Sequence, residues 1–274
     1  MGGSMKKLAK IYVSLVLLFL YIPIFVLIVF SFNETKSRTV FTGFTLEGYE
    51  KLFRNGIIMS SLVNTLIVAV IASVLATILG TLAAIGINSM RKGVKTAVLN
   101  VTYIPVINPE IVTGVSLMLL FVFFAVRMNF EFGFTTLIIA HITFNVPYVI
   151  LNVIPKLNQM DPHLFEAAQD LGCNPFQALR KAVLPEIMPG VISGFLMSFT
   201  FSLDDFVVSY FTSGATSQTL PVTIYSMTRR KVSPEINALS TIIFIVVVLV
   251  LIVKNMLENR AAKRLEKARG SVSL

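Results

Sequence analysis

The sequence predicts an all-α membrane protein with about six transmembrane helices. Three observations predict it. Only 14% of the residues are charged, whereas soluble domains carry about 25%. Six apolar stretches are long enough, or nearly so, to cross a bilayer, which takes about 20 residues per helix. Alternating patterns about ten residues long, the mark of a membrane β-barrel, are missing. Lipid offers the backbone no hydrogen-bond partner, so each spanning segment must satisfy its own N–H and C=O groups, as a helix does.

The stretches are residues 11–32, 62–87, 98–126, 134–154, 191–212 and 239–253, the last short and expected to extend at either end. The first is too long for the core of a cleavable leader, which runs to about 7–15 residues, so it reads as a retained span. Met1 to Ser4 read as a cloning scar before a natural start at Met5-Lys6-Lys7. The expected organisation is a short cytoplasmic N-terminus (1–10), one transmembrane domain (11–257) and a basic tail (258–274). The tail suits anionic headgroups. With the N-terminus inside, 15 of the 23 lysines and arginines fall on the cytoplasmic side. That bias predicts cytoplasmic termini. The cluster Arg229-Arg230-Lys231 runs against it, on the outside.

The net charge of +9 does not indicate nucleic acid, because the basic residues flank apolar segments and form no continuous patch. With Cys173 as the single cysteine, no intrachain disulfide or thiolate cluster can form. His141 and His163 are too few and too far apart to predict a metal site. The sequence has no G-x-x-x-x-G-K-[ST] phosphate loop, no nucleophilic triad and no H-E-x-x-H spacing. No cofactor is expected in the chain, so the energy for any transport must come from a separate ATPase or from an ion gradient.

The connection 156–188 carries strong local signals. Asp161-Pro162 predicts a helix start, with a capping carboxylate and proline at the first position. Leu164, Phe165, Ala168 and Leu171 recur at helical spacing, and Gly172 is placed to end the helix. Asn174-Pro175 repeats the start signal, and Pro185 interrupts the second helix. Two short amphipathic helices outside the membrane are expected. They either dock another protein or pack beneath the bundle, and spacing alone leaves both open.

Charged residues inside a membrane are costly and therefore functional candidates. In the fifth span Gly194, Ser198, Ser202, Asp205 and Ser209 share one helical face. Such a small, polar stripe either packs closely on another helix or lines a wet cavity. Asp204 points about 100° away from it. The pair Asp204 and Asp205 is expected on a pathway, with Asp205 slightly favoured. The alternative is that one of them caps a broken helix or pairs with a buried cation. In the third span Glu110 follows Pro105 and Pro109, which break the backbone ladder. It would meet a cation or cap the new helix start. Phe201, Tyr210, Phe211 and Tyr225 would add cation–π contacts to a cationic amine, although most aromatics at such positions face lipid.

Glu166-Ala167-Ala168, Gly172 and Leu184-Pro185 fall in the register of the EAA signature and so resemble ABC importer permeases. Ala182 stands where that pattern usually has isoleucine. The resemblance implies a MetI-like fold and a loop that docks on a cytoplasmic ATPase subunit. Over nearly the whole chain the sequence is similar to the spermidine/putrescine (PotC-like) permeases. The carrying stretches are His141-Ile142-Thr143-Phe144, Ser198-Phe199-Thr200 with Asp204-Asp205, Ile224-Tyr225-Ser226-Met227, and Val232 to Leu239. That likeness implies a bacterial inner-membrane permease carrying polyamines. Its partners would be a second permease chain, two ATPase subunits supplied with ATP and Mg, and an extracytoplasmic polyamine-binding protein. Other readings are a permease for another solute, a gradient-driven carrier acting alone, and a membrane scaffold or enzyme.

Overall fold

The computed structural model describes residues 3–35, 40–128, 131–230, 235–245 and 248–249. The tail 258–274, Lys231 and residues 246–247 and 250–253 of the stretch 239–253 lie outside the described residues. The described elements are helical throughout, apart from one isolated bridge between Asn33 and Phe44. They are α1 (Gly3–Phe30), α2 (Glu47–Arg54), α3 (Gly56–Asn88), α4 (Lys92–Ile107), α5 (Glu110–Met128), α6 (Phe134–Gln159), α7 (Leu164–Asp170), α8 (Pro175–Ala178), α9 (Leu184–Asp204), α10 (Val207–Thr212) and α11 (Leu220–Arg230). A further helix, α12, covers Glu235–Ile245. Among the described residues five helical stretches are long and apolar enough to cross a membrane: Lys7–Phe30, Gly56–Asn88, Glu110–Met128, Phe134–Gln159 and Pro175–Asp204.

Two of the expected spans are interrupted. The third divides into α4 and α5 at Asn108-Pro109. The fifth ends at Asp204 and resumes as α10. At its other end this span begins earlier than the sequence reading placed it. From Pro175 to Asp204 the chain stays helical, passing through a π-helical turn at Leu179–Val183. The second short helix therefore feeds directly into the span. Pro185 sits at the start of α9, where its missing N–H costs little. The interruption expected at Pro185 is this wider turn, just before it. The first short helix also starts later than expected, at Leu164, because Asp161 and Pro162 form a preceding turn. Asp161 Oδ1 accepts from the His163 amide at 2.9 Å.

The chain divides into two compact units. In the larger, Ile57–Tyr225, helices approach closely wherever one side lacks a side chain. A Cβ on Gly80 would lie 2.7 Å from Val149 Cβ, and one on Gly194 would lie 3.2 Å from Val149 Cα. α3, α6 and α9 thus meet around Val149, as small residues allow in lipid. The core there is Ala84, Ile87, Val149, Ile150, Val153, Ile154, Leu157, Val183 and Ile187. A second cluster joins Leu117 and Phe121 of α5 to Ala140 of α6 and Val208 of α10. At one end Lys95 Nζ donates to Asn88 Oδ1 (2.8 Å) and Asn158 Oδ1 (3.0 Å), tying α4 to the ends of α3 and α6. At the other end Thr136 Oγ1 donates to the Thr212 carbonyl (2.8 Å), and Ser61 and Thr223 share a hydrogen bond of 2.6 Å.

The smaller unit contains α1, the Asn33–Phe44 turn, α2 and the described part of α12. Its Asn33 side chain donates to the Val40 carbonyl and accepts from the Thr42 amide, which shapes the turn. Ser31 and Tyr49 share a hydrogen bond of 2.7 Å, and Asn55 Nδ2 donates to Glu235 Oε2 at 3.1 Å.

Candidate functional site

Both helix breaks of the larger unit open onto one cavity of about 460 Å³. Each break has its own local cause. Pro109 supplies no N–H and forces Asn108 out of the helical region, to φ −66° and ψ 142°. α4 closes with the Asn108 amide on the Ile104 carbonyl (3.0 Å), and α5 restarts with the Val112 amide on the Pro109 carbonyl (2.9 Å). Glu110 is thereby set in the first turn of α5 and on the cavity wall at once. Between α9 and α10 there is no proline. Asp205 has extended backbone angles, φ −61° and ψ 120°, and its carboxylate caps the restarting helix. Oδ1 accepts from the Val208 amide (3.2 Å) and Oδ2 from the Ser209 amide (2.7 Å).

The two adjacent aspartates consequently differ. Asp204 is exposed on the cavity, whereas Asp205 retains only 9% exposure. The small, polar stripe containing Asp205 faces α6. Gly194 meets Val149, Ser202 Oγ accepts from Asn145 Nδ2 at 2.8 Å, and Ser209 Oγ lies 3.0 Å from His141 Nε2. Close packing is what this stripe does, because α6 offers it matching polar groups. Both aspartates line the cavity, and Asp204 is the more exposed of the two.

The cavity has an aromatic wall as well. Tyr148 packs edge-on against Phe201, with centroids 4.6 Å apart, and Phe144 and Phe206 complete the wall. Of the residues singled out in the sequence, Glu110, Asp204, Asp205 and Phe201 meet at the cavity. Tyr225 is not on its wall. It packs behind Phe206, centroid to centroid 4.6 Å, and supports that ring from outside. Phe144, Tyr148 and Phe206 were missed. The available signal was helical spacing: Phe144 and Tyr148 lie four apart on the helix that carries His141.

The 156–188 loop presents a different surface. No residue of α7 is buried, and Glu166 lies open, its Oε2 3.4 Å from His163 Nδ1. Gly172 takes φ +87°, with the Gly172 amide on Gln169 and the Cys173 amide on Ala168 closing the helix. Asn174 and Gln177 cap α8 reciprocally at 2.8 and 3.1 Å. Phe165 and Leu184 pack onto the α3–α6 core, while Leu171 and Phe176 are 88% and 70% exposed. One face thus packs under the bundle and the other is free, so the two readings of this loop are compatible.

Residues 76–267 match the model of a family described as the binding-protein-dependent transport system inner membrane component. The chain belongs to this family. Among individual relatives, this transport-system component is 40% identical to the spermidine/putrescine transport system permease protein PotC of Haemophilus influenzae, over 92% of this chain and 96% of that one. It is 36% identical to PotC of Escherichia coli, over 89% and 91% of the two chains. It is 38% identical to the putrescine transport system permease protein PotI of Escherichia coli, over 82% and 81%. A solved bacterial ABC transporter that imports the acidic polysaccharide alginate shares the fold, with a TM-score of 0.73 over 92% of this chain and 94% of that chain, at 18% identity. The fold is thus that of an ABC importer permease, a membrane component rather than a catalytic one.

Proposed function

We propose that this chain is a permease subunit of an ATP-driven polyamine importer and forms half of the path for spermidine or putrescine. The observation that carries the proposal is the cavity. Two broken helices expose Asp204 and Glu110 on one wall system with Tyr148 and Phe201, in a chain 40% identical to a spermidine/putrescine permease. Polyamines are flexible chains bearing several ammonium groups. Carboxylates balance those charges, and ring faces accommodate both the ammonium groups and the methylene spacers. At 4 Å one such pairing is worth about 4 kcal/mol at an effective dielectric of 20, before desolvation is subtracted. That is enough to select a cation and little enough to let it leave.

The partners in this reading are a second homologous permease chain, two cytoplasmic ATPase subunits and an extracytoplasmic polyamine-binding protein. A solved relative of the same fold forms a complex with a periplasmic protein bound to an alginate pentasaccharide. ATP and Mg are held by the ATPase, and this chain hydrolyses nothing. Both termini lie in the cytoplasm of a bacterial inner membrane. Glu166, Ala167, Ala168, Gly172, Leu184 and Pro185 then belong to the surface the ATPase drives. Movement of α7 and α8 would pass through the π-helical turn into α9, whose far end carries Asp204.

The test is ATP-dependent uptake of radiolabelled spermidine and putrescine by proteoliposomes holding the full complex, with Glu166→Ala beside wild type. The expected result is uptake in wild type and ATP hydrolysis without uptake in the variant. An active ATPase with no polyamine uptake in wild type would overturn the substrate, and uptake by this chain alone would overturn the ATP-driven mechanism.

A further inference from the structure

The aspartates at the α9–α10 break are chemically identical and adjacent, yet their surroundings assign them different work. Asp205 spends both oxygens on backbone amides, those of Val208 and Ser209. It is almost fully buried, and behind it stands His141, wholly buried on α6, with Nε2 3.0 Å from Ser209 Oγ and 3.6 Å from Asp205 Oδ2. His141 Nδ1 meets no partner among the described residues. A neutral imidazole has one N–H and one bare nitrogen, and a buried donor left without a partner is the costlier loss. The proton therefore belongs on Nε2, where it points at the Ser209–Asp205 corner. Asp204, by contrast, is exposed to the cavity and hydrogen-bonds to no other described side chain.

We infer that Asp205 acts as the helix cap that creates and holds the α9–α10 break, with His141 as a positioning residue clamping that corner to α6, and that Asp204 alone of the pair balances the solute's charge. A spanning helix that stops without proline leaves amides with nothing to bond in a dry bundle. Asp205 supplies the acceptor, and the geometry it fixes turns Asp204 towards the cavity.

The inference rests on the polyamine reading only for the identity of the solute, and the two fail separately. Capping needs a short acceptor side chain, for which asparagine and serine serve about as well as aspartate and longer side chains do not. Charge balance needs a carboxylate. Asp205→Asn keeps one short acceptor oxygen of the two and loses the charge, whereas Asp205→Glu keeps the charge and loses the short reach. In proteoliposomes of the full complex, Asp205→Asn is expected to keep the spermidine KM within about threefold of wild type, at a cost under ~0.7 kcal/mol. It should also leave the ratio of spermidine to putrescine KM unchanged. Asp205→Glu is expected to lower kcat at least tenfold. Asp204→Asn should raise KM and change the ratio, because the two solutes carry different numbers of ammonium groups. The opposite order, with Glu active at position 205 and Asn raising KM as Asp204→Asn does, would overturn the inference.

Thermal melting of the complex gives a second reading that depends on no solute. Asp205→Asn and Asp205→Ser, which keep one short acceptor, should melt several degrees above Asp205→Glu and Asp205→Ala. If Asp205→Glu matched wild type and Asp205→Asn melted low, the cap would be refuted. His141→Gln, which can still present an N–H to Ser209, should retain transport, whereas His141→Leu should lose it through kcat with KM little changed. Equal activity of these two variants would remove His141 from the clamp.

Discussion

At the residue scale, identity and direction carry different information. Helical geometry separates Asp204 from Asp205 by about 100°, so the sequence places them on different faces. Which face is wet was not legible, because Gly194, Ser198, Ser202 and Ser209 suit close packing as well as they suit water. The partners on α6 decide it: Val149 takes Gly194, Asn145 takes Ser202 and His141 takes Ser209. Asp204→Asn should accordingly raise the spermidine KM about tenfold, the loss of ~1.4 kcal/mol, with ATP hydrolysis by the assembled complex maintained. Uptake kinetics beside ATPase assays check this. Glycine substitution should follow contact in the same way. A Cβ on Gly190 would sit 2.8 Å from the Asn152 carbonyl oxygen and 2.7 Å from Lys156 Cγ, while one on Gly86 would meet nothing within 4 Å. Gly190→Ala should destabilise by about 1–3 kcal/mol, because backbone cannot move aside as a side chain can. Gly86→Ala should be neutral or stabilise by about 0.5–1 kcal/mol. Melting of the purified protein in detergent would separate the two.

At the element scale, legibility tracked how local the cause was. The break before Glu110 was readable because proline acts on its own peptide and the residue before it. The break at Asp205 was legible only as the alternative that one of the two aspartates caps a broken helix, since an aspartate becomes a cap only once the following helix turns back onto it. The caps of the 156–188 loop were readable for the reason that Pro109 was: Asn174-Pro175 and Gly172 act within a few residues. The continuity of α8 with α9 was not, because a π-helical turn at Leu179–Val183 leaves no pattern in residue type. In the proposed coupling, that continuity makes the α8 cap a mechanical part. Asn174→Ala removes the acceptor for the Gln177 amide and should cost about 1 kcal/mol. The expected result is more ATP hydrolysed per polyamine imported, with the KM for polyamine unchanged. A changed KM with unaltered coupling would show that α8 acts on the cavity instead.

At the scale of the whole molecule, orientation is the property that every mechanism for this chain needs. Lys95 joins the ends of α3, α4 and α6 at one end of the larger unit, the end from which the chain runs on into α7 and α8. On α2, Lys51 pairs with Glu47 (2.6 Å) and Arg54 with Glu50 (2.7 Å). Cys173 offers a direct reading, because it is the single cysteine and lies between Gly172 and Asn174 in the partly exposed turn that joins α7 to α8. A membrane-impermeant maleimide should label it in inside-out vesicles and leave it unlabelled in right-side-out ones. Addition of the ATPase subunits should then slow the labelling, since the docking surface in this reading includes that turn. Labelling from the outer face would invert the topology and carry the coupling surface away from the ATPase with it. Cytoplasmic labelling that the ATPase leaves unchanged would keep the orientation and move the docking site off the α7–α8 turn.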